Sequence, residues 1–196
     1  MSQSIPMDPD RRRWLTATSV VGGAGLAATS VPFVASMAPS ERARALGAPV
    51  EFDVQDVAVG ELRTVAWRGK PVFVLRRSPE MLDALRRHDD LLADPRSRRS
   101  EQPEYARNTD RSVKPEIAVM VGLCTHLGCI PSFRPNPGAA DIGAGWPGGF
   151  FCPCHGSKFD LAGRVFKNVP APTNLEVPPY HFAADNQLLI GVDPAG

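Results

Sequence analysis

Large aromatic side chains are scarce. The chain has nine phenylalanines, three tryptophans and two tyrosines in 196 residues, against twenty prolines and seventeen glycines. That set is poorly suited to a helical bundle and well suited to many turns and short strands, so a loop-rich β domain is expected. Charge of one sign is lacking too: twenty-two basic and twenty-one acidic residues leave a formal +1, too little to hold a polyanion, which argues against nucleic acid as a partner. No internal repeat is visible. Cysteine is limited to four residues, all between positions 124 and 154, and two of the four histidines lie in the same segments. The length allows one good-sized domain, or a domain plus an anchor, with a core that needs no covalent staples to fold.

The one long uncharged run lies near the amino terminus. Arg11, Arg12 and Arg13 are followed by Trp14 to Ser40 without a charge. About 20 apolar residues cross a bilayer as a helix, and this stretch exceeds that although Gly22, Gly23, Gly25 and several Ser and Thr residues dilute it. RRRWLT resembles a twin-arginine export signal, a route that carries folded, cofactor-loaded proteins. Arginines inside and the remainder outside is the implied orientation. Ser36-Met37-Ala38 offers a cleavage spacing, but Pro39 stands just after it, so a retained anchor is expected. The chain then divides into a cytoplasmic amino terminus (1–13) with the arginine motif at Arg11 and Arg12, a transmembrane anchor (14–37), a hinge (38–49) and an exported domain (50–196). APSERARALGAP, the hinge, is too poor in large apolar residues to bury anything, and as an isolated helix it would be marginal.

From Val50 apolar and polar residues alternate. VEFDV and the two runs of TVAWRGKPVFVL, broken at Arg68 to Lys70, predict strands and a hairpin. Ser78-Pro79 predicts a helix start, with Met81, Leu82, Leu85 and Leu92 on one face and His88 at the surface. Residues 94–116, polar and rich in arginine, read as a solvated loop; Ile117 to Val121 reads as a strand. A long Pro- and Gly-rich loop follows from Pro131, then a brief strand at Phe150-Phe151. Further short strands are expected around Val165, Leu175 to Val177 and Tyr180 to Phe182, and LLIGV closes a hairpin over Asp185-Asn186. His181 is expected to be structural or exposed.

The chemistry concentrates in CTHLGC (124–129) and CPCHGS (152–157), both at strand ends. Zinc sites usually take ligand pairs spaced as C-x2-4-C and H-x3-5-H, whereas these pairs are C-x-H and C-x-x-H, and a zinc site would leave two thiols over. Two disulfides would leave both histidines unexplained. Neither reading uses all six residues.

The two boxes together resemble those of Rieske iron-sulfur proteins, in which two imidazoles replace two thiolates on one iron. GRVFKNVPAPTNLEVPPY (163–180) extends the resemblance to the iron-sulfur subunits of ubiquinol-cytochrome c reductase, including the proline loop around Pro170-Ala171-Pro172 that covers the cluster. The resemblance spans nearly the whole chain, most strongly residues 117–192. It implies a mainly β protein: an N-terminal transmembrane helix and an exported, Rieske-type antiparallel β-sandwich head with a small cluster-binding subdomain at about 117–172. It implies one 2Fe-2S cluster, with Cys124 and Cys152 on one iron, His126 and His155 on the other, and a Cys129–Cys154 disulfide tying the loops.

By the same resemblance His155 takes a proton from quinol as the cluster takes the electron, and Leu127 and Gly128, with Pro170 and Pro172, form the rim that docks on cytochrome b. Ser157 donates a hydrogen bond to a cluster sulfide. The electron goes on to a c-type cytochrome by head movement, in a complex, expected to be dimeric, of the respiratory chain that supports proton translocation across the bacterial inner membrane, with the head on the periplasmic side. Two departures stand out. Phe159 replaces a tyrosine of the mitochondrial relatives whose hydroxyl donates to a ligand thiolate, so a lower potential is expected; Val169 replaces a glycine before Pro-Ala-Pro. The competing readings are the Rieske subunit of another exported oxidoreductase, such as arsenite oxidase, a soluble Rieske ferredoxin feeding an oxygenase, and a zinc- or disulfide-stabilised binding module. The proline loop and the anchor favour the reductase subunit.

Overall fold

The computed structural model describes residues 8–194, so residues 1–7 of the expected cytoplasmic segment lie outside it. Two units are distinct, residues 1–45 and 46–196. The first is dominated by helix α1, Pro9–Ser36, which Asp8 caps by accepting from the Asp10 amide. Among the described residues it is the one helix long and apolar enough to cross a membrane, and none of its residues is buried. The hydroxyls of Thr16, Thr18, Thr29, Ser30 and Ser36 each donate to a carbonyl three or four residues earlier. Those polar groups are thus satisfied within the helix, which is what a span through hydrocarbon requires. The expected hinge contains a six-residue helix, α2, Glu41–Leu46.

In the second unit the strands are β1 (Val50–Asp53), β2 (Leu62–Trp67), β3 (Lys70–Arg76), β4 (Ile117–Val121), β5 (Ser132–Arg134), β6 (Gly149–Phe151), β7 (Lys158–Phe159), β8 (Tyr180–Phe182) and β9 (Gln187–Ile190). They form three antiparallel three-stranded sheets, ordered β1-β9-β8, β2-β3-β4 and β5-β6-β7. The β2-β3 hairpin turns on Arg68 and Gly69, both at positive φ (51° and 73°), the pair of conformations a two-residue turn of this twist needs.

Alternation along β3 and β4 explains how the sheets stack. Val72, Val74, Ile117 and Val119 face one core, shared with Val177, Tyr180, Leu188 and Ile190; Phe73, Leu75, Ala118 and Met120 face a second, shared with Phe150, Phe159, Leu161 and the two thiols Cys124 and Cys152. The middle sheet is therefore buried on both faces and carries the β5-β6-β7 sheet on one of them. Phe150 stacks between Phe73 and Phe133, with centroids 5.4 and 5.5 Å away.

Several expectations need correction. The third helix, α3, Pro79–Leu85, ends before Leu92, which instead packs with Trp146 and Phe166 in a separate small cluster. His88 is buried, not at the surface: its Nε2 lies 3.3 Å from Asp160 Oδ2 and its ring stacks on Phe166. The 94–116 loop is irregular as expected but anchored rather than solvated. Asp94 accepts from the Arg98 and Arg99 amides and the Ser100 hydroxyl, and Asn174 reaches across to the Asp94 carbonyl and Ser97. The expected strands at Val165 and at Leu175 to Val177 are absent. Val165 makes only an isolated bridge to Phe159, because Asn174 Oδ1 takes its amide. The strands β5 and β7 were not expected, being two or three residues long and too short to show periodicity.

Candidate metal centre

The two loops are built alike. In the first, the Cys124 amide donates to the Cys129 carbonyl at 2.8 Å and the Gly128 amide to the Cys124 carbonyl at 2.8 Å. In the second, the Cys152 amide donates to the Ser157 carbonyl at 2.8 Å and the Gly156 amide to the Cys152 carbonyl at 2.9 Å. Gly128 and Gly156 close these turns at φ 78° and 76°, which a side chain would strain. Strand β4 delivers the first turn and β6 the second, and each presents its leading cysteine inward.

The side chains then separate by depth. Cys124 and Cys152 are free, buried thiols in the same core. His126 is half-buried and His155 exposed; their rings meet edge to face with centroids 4.8 Å apart. Cys129 and Cys154 are joined in a disulfide, with Cα atoms 6.8 Å apart, which ties one loop to the other. The Cys152 sulfur lies within 4.8 Å of both disulfide sulfurs. Those two sulfurs are bonded to each other and are not available as thiolates, so a three-cysteine metal site is excluded and the donors that remain are two thiols and two imidazoles.

Electrostatics fits a metal group at this point. Burial pushes the Cys152 thiol above its ordinary pKa, the adjacent Cys124 thiol adds to this, and the backbone N–H groups of Cys154 and His155 oppose it. Two buried thiols in contact would repel as thiolates unless a cation lay between them. Soft sulfur and borderline nitrogen in equal number suit a 2Fe-2S cluster with mixed ligation.

The surrounding expectations can be placed as well. Ser157 is fully buried, and its Oγ accepts the Ala171 amide at 3.1 Å, leaving the hydroxyl proton free to donate. Ala171 is buried while Pro170 and Pro172 are exposed beside it, and Thr125 ties the first loop to the same segment by donating to the Thr173 carbonyl at 2.7 Å. Leu127 is 70% exposed, and Ile130, which had not been singled out, is 58% exposed. Phe159 is fully buried in the core of Cys124 and Cys152. Arg11 and Arg12 lie in α1, in the separate N-terminal unit. Sequence reasoning missed the buried polar groups behind the loops, Asp160, Arg164, His88 and Arg111, for which composition gives no local signal.

Comparison with known proteins points to the same cofactor class. Residues 49–180 match the Rieske 2Fe-2S domain, and residues 1–40 match the family described as "Ubiquitinol-cytochrome C reductase Fe-S subunit TAT signal". Together with α1, the second match describes a membrane-anchored, exported protein. The ubiquinol-cytochrome c reductase iron-sulfur subunit of Allochromatium vinosum is 58% identical over 93% of this chain and 88% of its own. That of Blastochloris viridis is 41% identical over the full length of both. The mitochondrial Rieske subunit of the cytochrome b-c1 complex of Solanum tuberosum is 41% identical over 95% of this chain and 64% of its own. A solved structure described as a hyperthermophilic respiratory Complex III aligns over 90% of this chain and 98% of that one, at 28% identity and a TM-score of 0.47. On the domain match and the two bacterial relatives, the chain belongs to the Rieske 2Fe-2S family, among the iron-sulfur subunits of ubiquinol-cytochrome c reductase.

Proposed function

We propose that Cys124 and Cys152 hold one iron of a 2Fe-2S cluster and His126 and His155 the other, and that the subunit carries electrons from quinol at cytochrome b to a c-type cytochrome. The observation that carries this reading is the pairing of two like turns, which bring two buried thiols and two imidazoles to one point under a disulfide clamp. When bound, the cluster supplies one-electron chemistry at a potential raised by its two neutral imidazole ligands.

The chain's own residues do the rest. His155, exposed, presents a ring nitrogen to a quinol hydroxyl, accepts its hydrogen bond and receives its proton. Leu127 and Gly128, with Pro170 and Pro172, offer an exposed and largely apolar rim for docking on cytochrome b. Ser157 holds its hydroxyl inside the site, where it can donate to a sulfide and favour added negative charge. The Cys129–Cys154 disulfide keeps the two loops in register. With α1 in the inner membrane and the head on the periplasmic side, residues 38–49 let the head move between its two partners, in a dimeric complex. The full-length likeness to the bacterial reductase subunits favours this over the arsenite oxidase reading.

Electron paramagnetic resonance of the reduced protein, together with metal analysis, tests the ligand set. The wild type should show a 2Fe-2S signal that Cys124→Ser, His126→Ala, Cys152→Ser and His155→Ala each abolish, while the Cys129→Ser, Cys154→Ser double variant keeps a signal but loses it at a lower temperature. A silent wild-type spectrum with stoichiometric zinc would overturn the reading.

A further inference from the structure

Three arginines are buried in the head: Arg77, Arg111 and Arg164 are 2%, 1% and 0% exposed. Arg164 is neutralised, its Nε meeting Asp160 Oδ2 and its Nη1 meeting Asp89 Oδ1, both at 2.7 Å. Arg77 donates to the Asp110 carbonyl and to Ser112, and the Asp110 carboxylate lies near enough to offset its charge. Arg111, like Arg77, has only neutral direct partners. Its Nη1 donates to the carbonyls of Ala162 (3.2 Å) and Gly163 (3.4 Å), its Nη2 to those of Leu175 (2.7 Å) and the Gln102 side chain (3.0 Å). Its Nε has no partner among the described residues. Burial draws its pKa down to about 10, with Asp160 and Asp94 opposing, so it stays a cation at neutral pH. Both carboxylates are engaged elsewhere: Asp160 with Arg164 and His88, Asp94 with Ser100 and the Arg98 and Arg99 amides.

The position of this charge gives it a use. Ala162 and Leu175, whose carbonyls it holds, belong to the core that contains Cys124 and Cys152. The segment it clamps continues to Thr173, which the first cluster loop grips through Thr125. A buried charge is more weakly screened than one in solvent. We infer that Arg111 is an electrostatic tuning residue: its buried guanidinium, lacking a direct carboxylate partner, raises the reduction potential of the cluster held by Cys124, His126, Cys152 and His155. Reduction adds one negative charge at those ligands, and a fixed cation beside the same core stabilises that state over the oxidised one. The inference rests on the ligand assignment proposed above.

Redox titration of the intact complex, followed by the cluster's paramagnetic signal, separates charge from structure. Arg111→Gln should lower the midpoint, Arg111→Lys should return it towards the wild-type value, and Asp94→Asn, which removes a buried negative charge coupled to Arg111, should raise it. An unchanged midpoint in Arg111→Gln with an intact signal would overturn the inference. So would a shift of the same sign in Arg111→Gln and Asp94→Asn, or an Arg111→Lys shift as large as that of Gln, since each would mark a packing effect. If Arg111→Gln does not assemble, Arg111→Met takes its place, with the same lowered midpoint expected and an unchanged one overturning the inference. Absence of the signal from the wild type itself would instead remove the ligand assignment, a distinguishable failure.

Discussion

Phe159 stands where the resemblance to the mitochondrial subunits implies a tyrosine. It is fully buried beside Cys124 and Cys152 and has no hydroxyl to donate. Phe159→Tyr should raise the cluster midpoint, read by redox titration; an unchanged midpoint would show that the hydroxyl does not reach a ligand sulfur. Gly128 shows a constraint of backbone rather than chemistry. At φ 78° with open space around its missing Cβ, Gly128→Ala meets no clash but should still cost roughly 1–2 kcal/mol through the left-handed conformation. A thermal melt of the holoprotein would measure that loss. Behind the loops, Arg164→Met should cost about 3–5 kcal/mol, because it leaves Asp160 buried without its cation.

Asp160 also sets an acid limit. Burial alone would raise its carboxyl pKa, but the His88 hydrogen bond and the Arg164 charge outweigh this and hold it below the ordinary carboxylate value. A depressed folded-state pKa means stability that is complete above the unfolded-state value and is lost as pH falls through the folded one. Melting temperature should therefore hold at neutral pH and fall below about pH 4, and the Asp160→Asn variant should show a smaller acid dependence from a lower starting stability.

At the scale of elements, the tether, where a helix was read as marginal in isolation, carries a short one. The segment read as too poor in large apolar residues to bury anything contains α2, Glu41–Leu46. Six residues are well short of what holds a helix in isolation, so little would oppose its unwinding under the proposed head movement. Replacing residues 41–46 with consecutive prolines removes both the helix and the freedom to bend. Quinol-dependent reduction of a c-type cytochrome should fall while the assembled complex and its cluster signal remain. Unaffected turnover in an assembled complex would contradict movement through this segment. The hairpins, by contrast, were legible: Arg68-Gly69 and Asp185-Asn186 announce their turns in composition, and β2, β3, β8 and β9 follow. The short β5 and β7 were not, because two or three residues carry no period and exist only by pairing with β6.

For the whole molecule, the proposed function requires export, and a twin-arginine signal is a route for heads already folded around their cofactor. Replacing Arg11 and Arg12 with lysine should leave the head cluster-loaded inside the cell and strip it from the periplasmic face, checked by protease accessibility of spheroplasts. Normal accessibility in that variant would place export on another signal. The rest of α1 is untouched by that change, and its hydroxyls keep their bonds to its own backbone.

By itself the sequence showed whatever depends on local pattern: the two Cys/His boxes, the arginine motif, the long uncharged run, the strands β2 to β4 and the turn residues. Only the tertiary structure decided which polar residues are interior. Arg111 sits in a stretch that reads as a solvated loop, yet its backbone carbonyl partners lie 51 to 64 residues away at Ala162, Gly163 and Leu175. Arg164 reaches 79 residues back to the Leu85 carbonyl, and His88 reaches 72 forward to Asp160. An arginine or histidine is admitted to a core only where distant carbonyls and carboxylates converge to replace its water. That convergence belongs to packing, and no window of sequence contains it.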